Sequence, residues 1–194
     1  DLTLLDSKGD PIGGAGPPTI VGSWTADDQL NSYQVFEGRA PEANDEVIID
    51  RGGVQKGGFA LGDRITLIGA TGPEQFDLVG ISKFGEADSA AGSTFVGTTL
   101  GTAQRLVGKE GKVDQIDVLA EEGVTPEALV ASLKKANVAP RADVITGQEL
   151  SDESVSEMRE AFGFFTTALL VFAFIALFVG WFIISNTFSI LVAQ

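Results

Sequence analysis

The stretch AFGFFTTALLVFAFIALFVGWFIISNTFSILVAQ, residues Ala161 to Gln194, decides the architecture of this chain because it contains no charged residue. As a helix it would reach roughly 50 Å, against about 30 Å for the hydrocarbon core of a bilayer. About nineteen of its residues are Leu, Ile, Phe or Val, and their summed insertion free energy is on the order of −6 to −11 kcal/mol. The stretch therefore predicts a transmembrane helix rather than a helix of a soluble core.

Small residues and one amide group mark this predicted helix. Ala173, Ala176 and Gly180 share one face, and small side chains allow a neighbouring helix to approach closely. Asn186 would be costly against lipid and is expected in a bundle interior or at the far membrane interface. These four residues predict packing against a second helix, and the alternative is a lone anchor whose small residues are incidental.

The charge of the chain lies before the apolar stretch. The formal net charge is −14, and there is neither Cys nor His. Such acidity argues against binding nucleic acid or anionic lipid head groups. The missing residue types exclude disulfides, thiol redox chemistry and the usual zinc sites. Because basic flanks are retained in the cytoplasm, the acid-rich flank at 152–160 favours an extracytoplasmic position for the N-terminal part.

Both ends of the sequence are interpreted as cuts in a longer polypeptide. Asp1 stands at the start of an apolar run, and no basic residue follows the apolar stretch at Gln194. The stretch is not a signal peptide, since such peptides are N-terminal and have a shorter apolar core after a basic start.

The rest of the chain predicts a mixed-sheet α+β domain. Short apolar runs bounded by turn residues predict strands, two of which form a hairpin around the turn at 69–73. Thr125, Pro126 and Asn137 mark the start and end of one helix. We expect a domain at 1–147 and a stalk plus transmembrane helix at 148–194. The predicted strands are 2–5, 20–24, 32–36, 46–50, 64–68, 75–79, 95–96, 116–120 and 144–145. A short helix is predicted at 99–106, a second helix at 125–137 and a long helix from 148 onward. The segment at 13–18 is predicted to be flexible.

A series of turn-forming and charged residues occupies the middle of this domain. Gly38 allows a turn, Pro41 keeps the chain extended, and the Arg39 guanidinium can pair with Asp45 or Glu46. Most of this series is interpreted as folding devices, and a ligand site is the less favoured alternative. The set singled out is Gly38, Arg39, Pro41, Glu46, Gly62, Asp63 and Gly80.

The order of these motifs resembles the extracytoplasmic core domain of MacB-type and FtsX-like ABC transporter permeases. In that family a Gly-Arg-x-Pro turn precedes a Glu-Val strand, and a Gly-Asp turn leads into a hairpin that ends in Val-Gly-Ile, here residues 79–81. The tail at 184–194 is similar to the helix that follows this domain. The resemblance extends from about Ser32 to the end of the chain.

The resemblance implies a permease subunit in a bacterial cell membrane, with four membrane helices and an outer domain between the first two. It implies a dimer with a second permease copy or a homologue, and an ABC ATP-binding subunit that binds ATP and Mg²⁺. No Gly-x-x-x-x-Gly-Lys-Ser/Thr loop occurs here, so no cofactor and no enzymatic activity are predicted for this chain. The helix from Gln148 would transmit motion.

Other interpretations stay open at this point. The same membrane core could serve an FtsX-type regulator of a cell-wall hydrolase, or the chain could be a single-pass protein whose outer domain binds a partner. The acidic segment at 6–10 lacks the ligand pattern and closing Glu of an EF-hand loop, so a solvated turn is favoured over calcium. No catalytic residue and no metal ligand is predicted.

Overall fold

The computed structural model describes residues 2–13, 16–138, 140 and 142–192. Part of the segment at 13–18 that was predicted to be flexible lies outside these residues, as do the last two positions of the apolar stretch. The chain forms two compact units, Asp1–Leu119 and Ala120–Gln194. The domain bounds predicted from the sequence are 1–147 for the outer domain and 148–194 for the stalk and membrane helix. These bounds stay a prediction.

The first unit is a curled, mixed sheet with two short helices. Its seven strands run in the order β1-β5-β6-β4-β7-β2, and β3 pairs with β6. The α+β class and the strands predicted in this unit before residue 99 are confirmed. The elements are β1 (Thr3–Leu5), β2 (Thr19–Ser23), β3 (Tyr33–Gly38), β4 (Glu46–Asp50), α1 (Arg51–Gly57), β5 (Arg64–Gly69), β6 (Gly72–Phe84), β7 (Thr94–Thr98) and α2 (Leu100–Leu106).

Strand β6 organises the sheet because it is 13 residues long and has three partners. Its first part pairs antiparallel with β5, its last part pairs antiparallel with β3, and β4 lies parallel along its other edge. The predicted hairpin is confirmed, but its turn is tighter than expected. Gly69 already pairs with Gly72, and Gly72 has a φ of +103°, which glycine adopts without strain.

The hydrophobic core lies on one face of this sheet. Apolar side chains alternate along β5 and most of β6, whereas the central strand β4 buries Val47, Ile48 and Ile49 in succession, with Val47 and Ile49 in this cluster. The end of α2 covers the cluster with Leu106. The buried members are Leu4, Val47, Ile49, Ile65, Leu67, Phe76, Leu78, Val96 and Leu106.

The sequence did not predict helix α1. Its seven residues include three glycines, which are poor helix formers. The helix forms because Asp50 caps its N-terminus, accepting a hydrogen bond from the Gly53 N–H at 2.9 Å. Gly58 ends it in the left-handed conformation at φ +64°.

The second unit contains helices α3 (Pro126–Ala136) and α4 (Gly147–Val192). The predicted caps of α3 are confirmed: Thr125 Oγ1 accepts from the Ala128 N–H, and Asn137 closes the helix in the left-handed region. A reciprocal pair opens α4, since the Thr146 N–H donates to the Glu149 carboxylate and the Glu149 N–H donates to the Thr146 hydroxyl.

Two strand predictions were wrong. Residues 116–120 and 144–145 form no strand, and none of the sheet pairings among the described residues includes them. Alternating polarity is only a local pattern, whereas a strand also needs a partner for its backbone groups. Ile116 accordingly has an exposed fraction of 73%.

Candidate functional site

Six of the seven motif residues meet around Leu78, Val79 and Gly80, where one edge of β6 changes partner from β5 to β3. At this change of partner the backbone N–H and C=O groups of β6 need hydrogen-bond partners from neighbouring loops. The Gly62 N–H donates to Leu78 O at 2.9 Å, and the Arg39 N–H donates to Val79 O at 3.0 Å. The Leu78 N–H donates to Asp63 O at 2.9 Å. We call this region the joint.

Glycine is required on both sides of the joint because the two backbones touch. Gly38 pairs with Gly80 across the strands and has a φ of +77°. A Cβ on Gly38 would lie 2.4 Å from Val79 O, and one on Gly80 would lie 2.1 Å from Arg39 O. Any larger residue would therefore force the strands apart.

The loop from β3 to β4 is closed by Arg39 and Glu46. The Arg39 guanidinium donates to both carboxylate oxygens of Glu46, one of these bonds being 2.7 Å long. The same carboxylate accepts the backbone N–H groups of Glu42 and Ala43 at 2.9 and 3.1 Å. The Arg39 hydrogen bonds and these backbone groups lower the pKa of Glu46 to about 2. Of the two partners left open by the sequence, the structure selects Glu46.

The second turn of the joint is closed by Asp63. Its carboxylate accepts the Ala60 N–H at 2.8 Å, and its own N–H donates to Ala60 O at 3.0 Å. Gly62 has a φ of +91°, which only glycine adopts without strain. Pro41 is buried in the neighbouring loop. The polar groups of the joint are thus engaged by the fold itself, which agrees with a structural role, and that role stays a prediction.

Helix α4 carries the predicted membrane segment. Within its 46 residues, Phe165–Ser189 has a mean hydropathy of 2.7, and none of its most apolar window is buried within the protein. A core helix of a soluble domain would be buried, and a signal sequence would lie near the N-terminus. The 25 residues of the segment reach about 38 Å, enough to cross a bilayer with some tilt. Among the described residues, this is the one helix with these properties.

A family model for the MacB-like periplasmic core domain matches residues 6–136, more than half of the chain. The chain belongs to this family. The resemblance drawn from the motifs at 37–81 is thereby confirmed, and a membrane protein with an extracytoplasmic N-terminal domain is what this family and helix α4 together indicate.

One relative is an uncharacterized ABC transporter permease protein of Mycobacterium tuberculosis, which is 30% identical over 149 residues. The match covers 76% of this chain and 16% of that protein, so the chain spans about a sixth of its relative's length. No solved structure matches the chain.

Four of the five hydroxyl groups in the membrane segment of this MacB-like protein are satisfied within the helix. Each of the four donates to the carbonyl oxygen four residues earlier, for example Thr187 Oγ1 to Ile183 O at 2.8 Å. Such bonds make the hydroxyls compatible with lipid. The other three donors are Thr166, Thr167 and Ser189.

The four residues predicted to pack against another helix lie on two sides of α4. Ala173, Ala176 and Gly180 share a face. At about 100° per residue, Asn186 lies about 120° from Gly180. Their packing against a neighbouring helix stays a prediction.

The acidic segment of the periplasmic core domain at 6–10 forms a solvated turn. Asp6 Oδ1 accepts the N–H groups of Lys8 and Asp10, both at 2.8 Å, and these bonds lower the pKa of Asp6. Among the described residues there is no group of three or more acidic, His or Cys side chains that could hold a metal ion.

One group that the sequence analysis did not single out is Asp50, which appeared there only as the end of a strand. The side chain is fully buried, and so is that of Ser82, its neighbour in β6. Burial raises the pKa of the Asp50 carboxyl, although the Ser89 hydroxyl and the N–H groups of Gly53 and Phe95 act in the opposite direction. No local sequence pattern distinguishes such a carboxylate from a solvated one.

Proposed function

We propose that this chain is part of the permease subunit of an ABC transporter, in which an acidic extracytoplasmic domain moves when a partner subunit hydrolyses ATP. The observation that carries the proposal is the family match to a periplasmic core domain at residues 6–136, in a chain whose helix at Phe165–Ser189 is long and apolar enough to cross a membrane. The relative described as an ABC transporter permease supports it.

Helix α4 is suited to transmit the motion. It is continuous from Gly147 to Val192, so about 27 Å of helix precede Phe165, the first residue of the membrane segment. The sequence between Gln148 and Phe162 contains no Pro or Gly that would kink the helix, and Gly163 stands where this stalk meets the membrane segment. A continuous helix moves as a rigid rod, so displacement within the membrane reaches the outer end of the stalk.

ATP and Mg²⁺ belong, in this proposal, to an ATP-binding subunit or domain elsewhere. This chain has no phosphate-binding loop of the Walker type. A second permease copy or a homologue would complete the membrane part.

The lever is tested by breaking the stalk in the full-length permease. Ser156→Pro removes a backbone donor and kinks the helix, at a cost of about 3 kcal/mol or more, whereas Ser156→Ala keeps it straight. Hydrogen exchange of the outer domain is compared with and without ATP and vanadate. We expect a nucleotide-dependent change in the parent and in Ser156→Ala, and none in Ser156→Pro, while the ATP-binding subunit still co-purifies.

Two results would contradict the proposal. An unchanged nucleotide response in Ser156→Pro would eliminate the lever, and a full-length protein that never associates with an ATPase would eliminate the transporter.

The two alternatives predict different phenotypes. An FtsX-type regulator of a cell-wall hydrolase predicts defects in cell separation after deletion, rather than defects in export. A single-pass binding module predicts that the full-length protein contains no further membrane helix, which its complete reading frame would show.

A further inference from the structure

Around the C-terminal end of strand β4, several buried polar atoms make no hydrogen bond of normal geometry. Asp50 Oδ1 accepts the Gly53 N–H at 2.9 Å, but Oδ2 has no hydrogen bond of normal geometry among the described residues. The buried hydroxyls of Ser82 and Ser89 also make no hydrogen bond of normal geometry in the described structure, although the Ser89 hydroxyl lies near enough to favour the ionised form of Asp50. Buried polar groups in native proteins are nearly always satisfied, so such a set calls for an explanation.

Three aromatic side chains lie on the same face of the sheet as Asp50 and Ser82. We call Tyr33, Phe84 and Phe95 the aromatic lid. The rings of Tyr33 and Phe95 stack at 3.9 Å between centroids, and Tyr33 meets Phe84 at 5.3 Å. Tyr33 lies on β3 and Phe95 on β7, strands that β6 and β4 separate in the sheet. Their stacking therefore bridges the ends of β6 and β4, where Ser82 and Asp50 lie.

Tyr33 and Asp50 are close enough to affect each other. Burial raises the pKa of the Tyr33 phenol to about 12, and the negative charge of Asp50 adds to this effect. An ionised Asp50 therefore places a charge under a stacked, half-buried aromatic group, where water cannot solvate it freely.

The surrounding charges offer Asp50 little compensation. Lys56 on α1 favours the ionised carboxylate through space, but its ammonium group donates to Gly92 O at 2.5 Å. Arg51, the next residue in the chain, pairs with Asp88 at 2.9 Å. No basic side chain of the described structure hydrogen-bonds to Asp50. Because no basic side chain neutralises it, this fully buried carboxyl avoids the cost of a buried charge when it carries a proton.

We propose that Asp50 is a proton-binding switch that holds the aromatic lid closed when protonated and loosens it when ionised. The proton removes the buried charge, and a protonated Oδ2 can donate to the hydroxyl of Ser82, its neighbour across the strands. Loss of the proton leaves an ionised oxygen beneath Tyr33. Movement of the lid then admits water, which solvates this charge.

The sign of the pH dependence follows from linkage. Burial raises the pKa of Asp50 above its ordinary value of 3.8, so the folded domain binds this proton more tightly than the unfolded chain. The stability contributed by Asp50 is complete below about pH 3.8 and is lost as the pH rises through the folded pKa. The switch thus closes on the acid side.

Tyr33 is the one tyrosine in the sequence, which provides a specific probe of the lid. The full chain in detergent is labelled with 3-fluorotyrosine, and the single fluorine resonance is followed from pH 3 to pH 8. We expect the resonance to titrate with a midpoint above 3.8 in the parent, and to be independent of pH in Asp50→Asn. Asn can still cap α1, so this variant keeps the helix start.

Two further variants make the test decisive. Asp88→Asn removes a nearby exposed carboxylate and should leave the midpoint unchanged. Ser89→Ala removes a hydroxyl that favours the ionised form and should move the midpoint to higher pH. A midpoint at or below 3.8, a titration that persists in Asp50→Asn or disappears in Asp88→Asn, or a midpoint that does not rise in Ser89→Ala would each overturn the proposal.

Discussion

Replacing Glu46 by Gln tests the joint directly, because it removes a charge and keeps the size of the side chain. The carboxylate accepts the Arg39 guanidinium through both oxygens, together with the N–H groups of Glu42 and Ala43. A Gln side chain has one acceptor oxygen and an NH₂ group. At least one donor of the loop would therefore face another donor.

The magnitude can be estimated from these contacts. A hydrogen bond to a charged group contributes about 1.5–3 kcal/mol when it is buried, but exposed ion pairs contribute about 0–1 kcal/mol. The Glu46 side chain is 15% exposed and that of Arg39 is 48% exposed, so the ion pair itself is discounted. The backbone hydrogen bonds dominate, and we expect Glu46→Gln to lower the free energy of unfolding by about 1–2 kcal/mol at pH 7.

The pH dependence gives a second, independent signature. Its partners lower the pKa of Glu46 from 4.5 to about 2, so the folded state holds this proton less tightly than the unfolded chain. The stabilisation is present above pH 4.5 and is lost as the pH falls toward 2. Glu46→Gln should lack this part of the acid-induced loss of stability.

Urea unfolding in a Trp181→Phe background measures both effects, since Trp24 then remains as the single tryptophan. Its ring lies over Gly97 in the sheet and so reports on the first unit. Asp45→Asn is the matched control, because this neighbouring carboxylate has no ion pair in the described structure. Equal destabilisation by Asp45→Asn, or an unchanged urea midpoint in Glu46→Gln, would refute the assignment of Glu46.

Three further outcomes follow from the structure. Gly80→Ala should lower the free energy of unfolding by about 1–3 kcal/mol, because its Cβ would lie 2.1 Å from Arg39 O; a neutral result would contradict the close contact. Gly101→Ala, on α2 with no atom within 4 Å of the new Cβ, should instead be neutral or stabilise by up to about 1 kcal/mol in the same assay. Gly180→Leu should reduce cross-linking between membrane helices of the full-length protein, whereas Phe178→Leu, on the far side of α4, should not; equal effects would argue for a lone anchor.

The residues of the joint illustrate how far local sequence reaches. Arg39 followed by two nearby carboxylates predicts an ion pair within a loop, but Asp45 and Glu46 are equivalent by spacing. The choice depends on the direction in which β4 points each side chain, which is set once β4 pairs with β6. The approach of Gly38 to Gly80 is equally invisible to the sequence, since the two residues are distant along the chain.

The segments at 116–120 and 144–145, which were predicted to be strands, show the same limit of local sequence. Their apolar residues favour extended structure, yet pairing is a property of two segments, and no described segment pairs with them. Helix α1 was missed because a capping carboxylate and a terminal glycine outweigh three unfavourable glycines.

The sequence by itself determined the membrane segment, the start and end of α3 and the continuity of α4, because each depends on residues that are close together in the chain. It also determined the family, through the order of the motifs between residues 37 and 81. Helix capping and transfer into lipid are local energies, and they can be summed without knowing the fold. Only the tertiary structure decided the change of partner along β6, the choice of Glu46 and the burial of Asp50 beneath the aromatic lid. These depend on which strands meet, and the free energy of a buried charge is set by atoms that the chain brings from elsewhere.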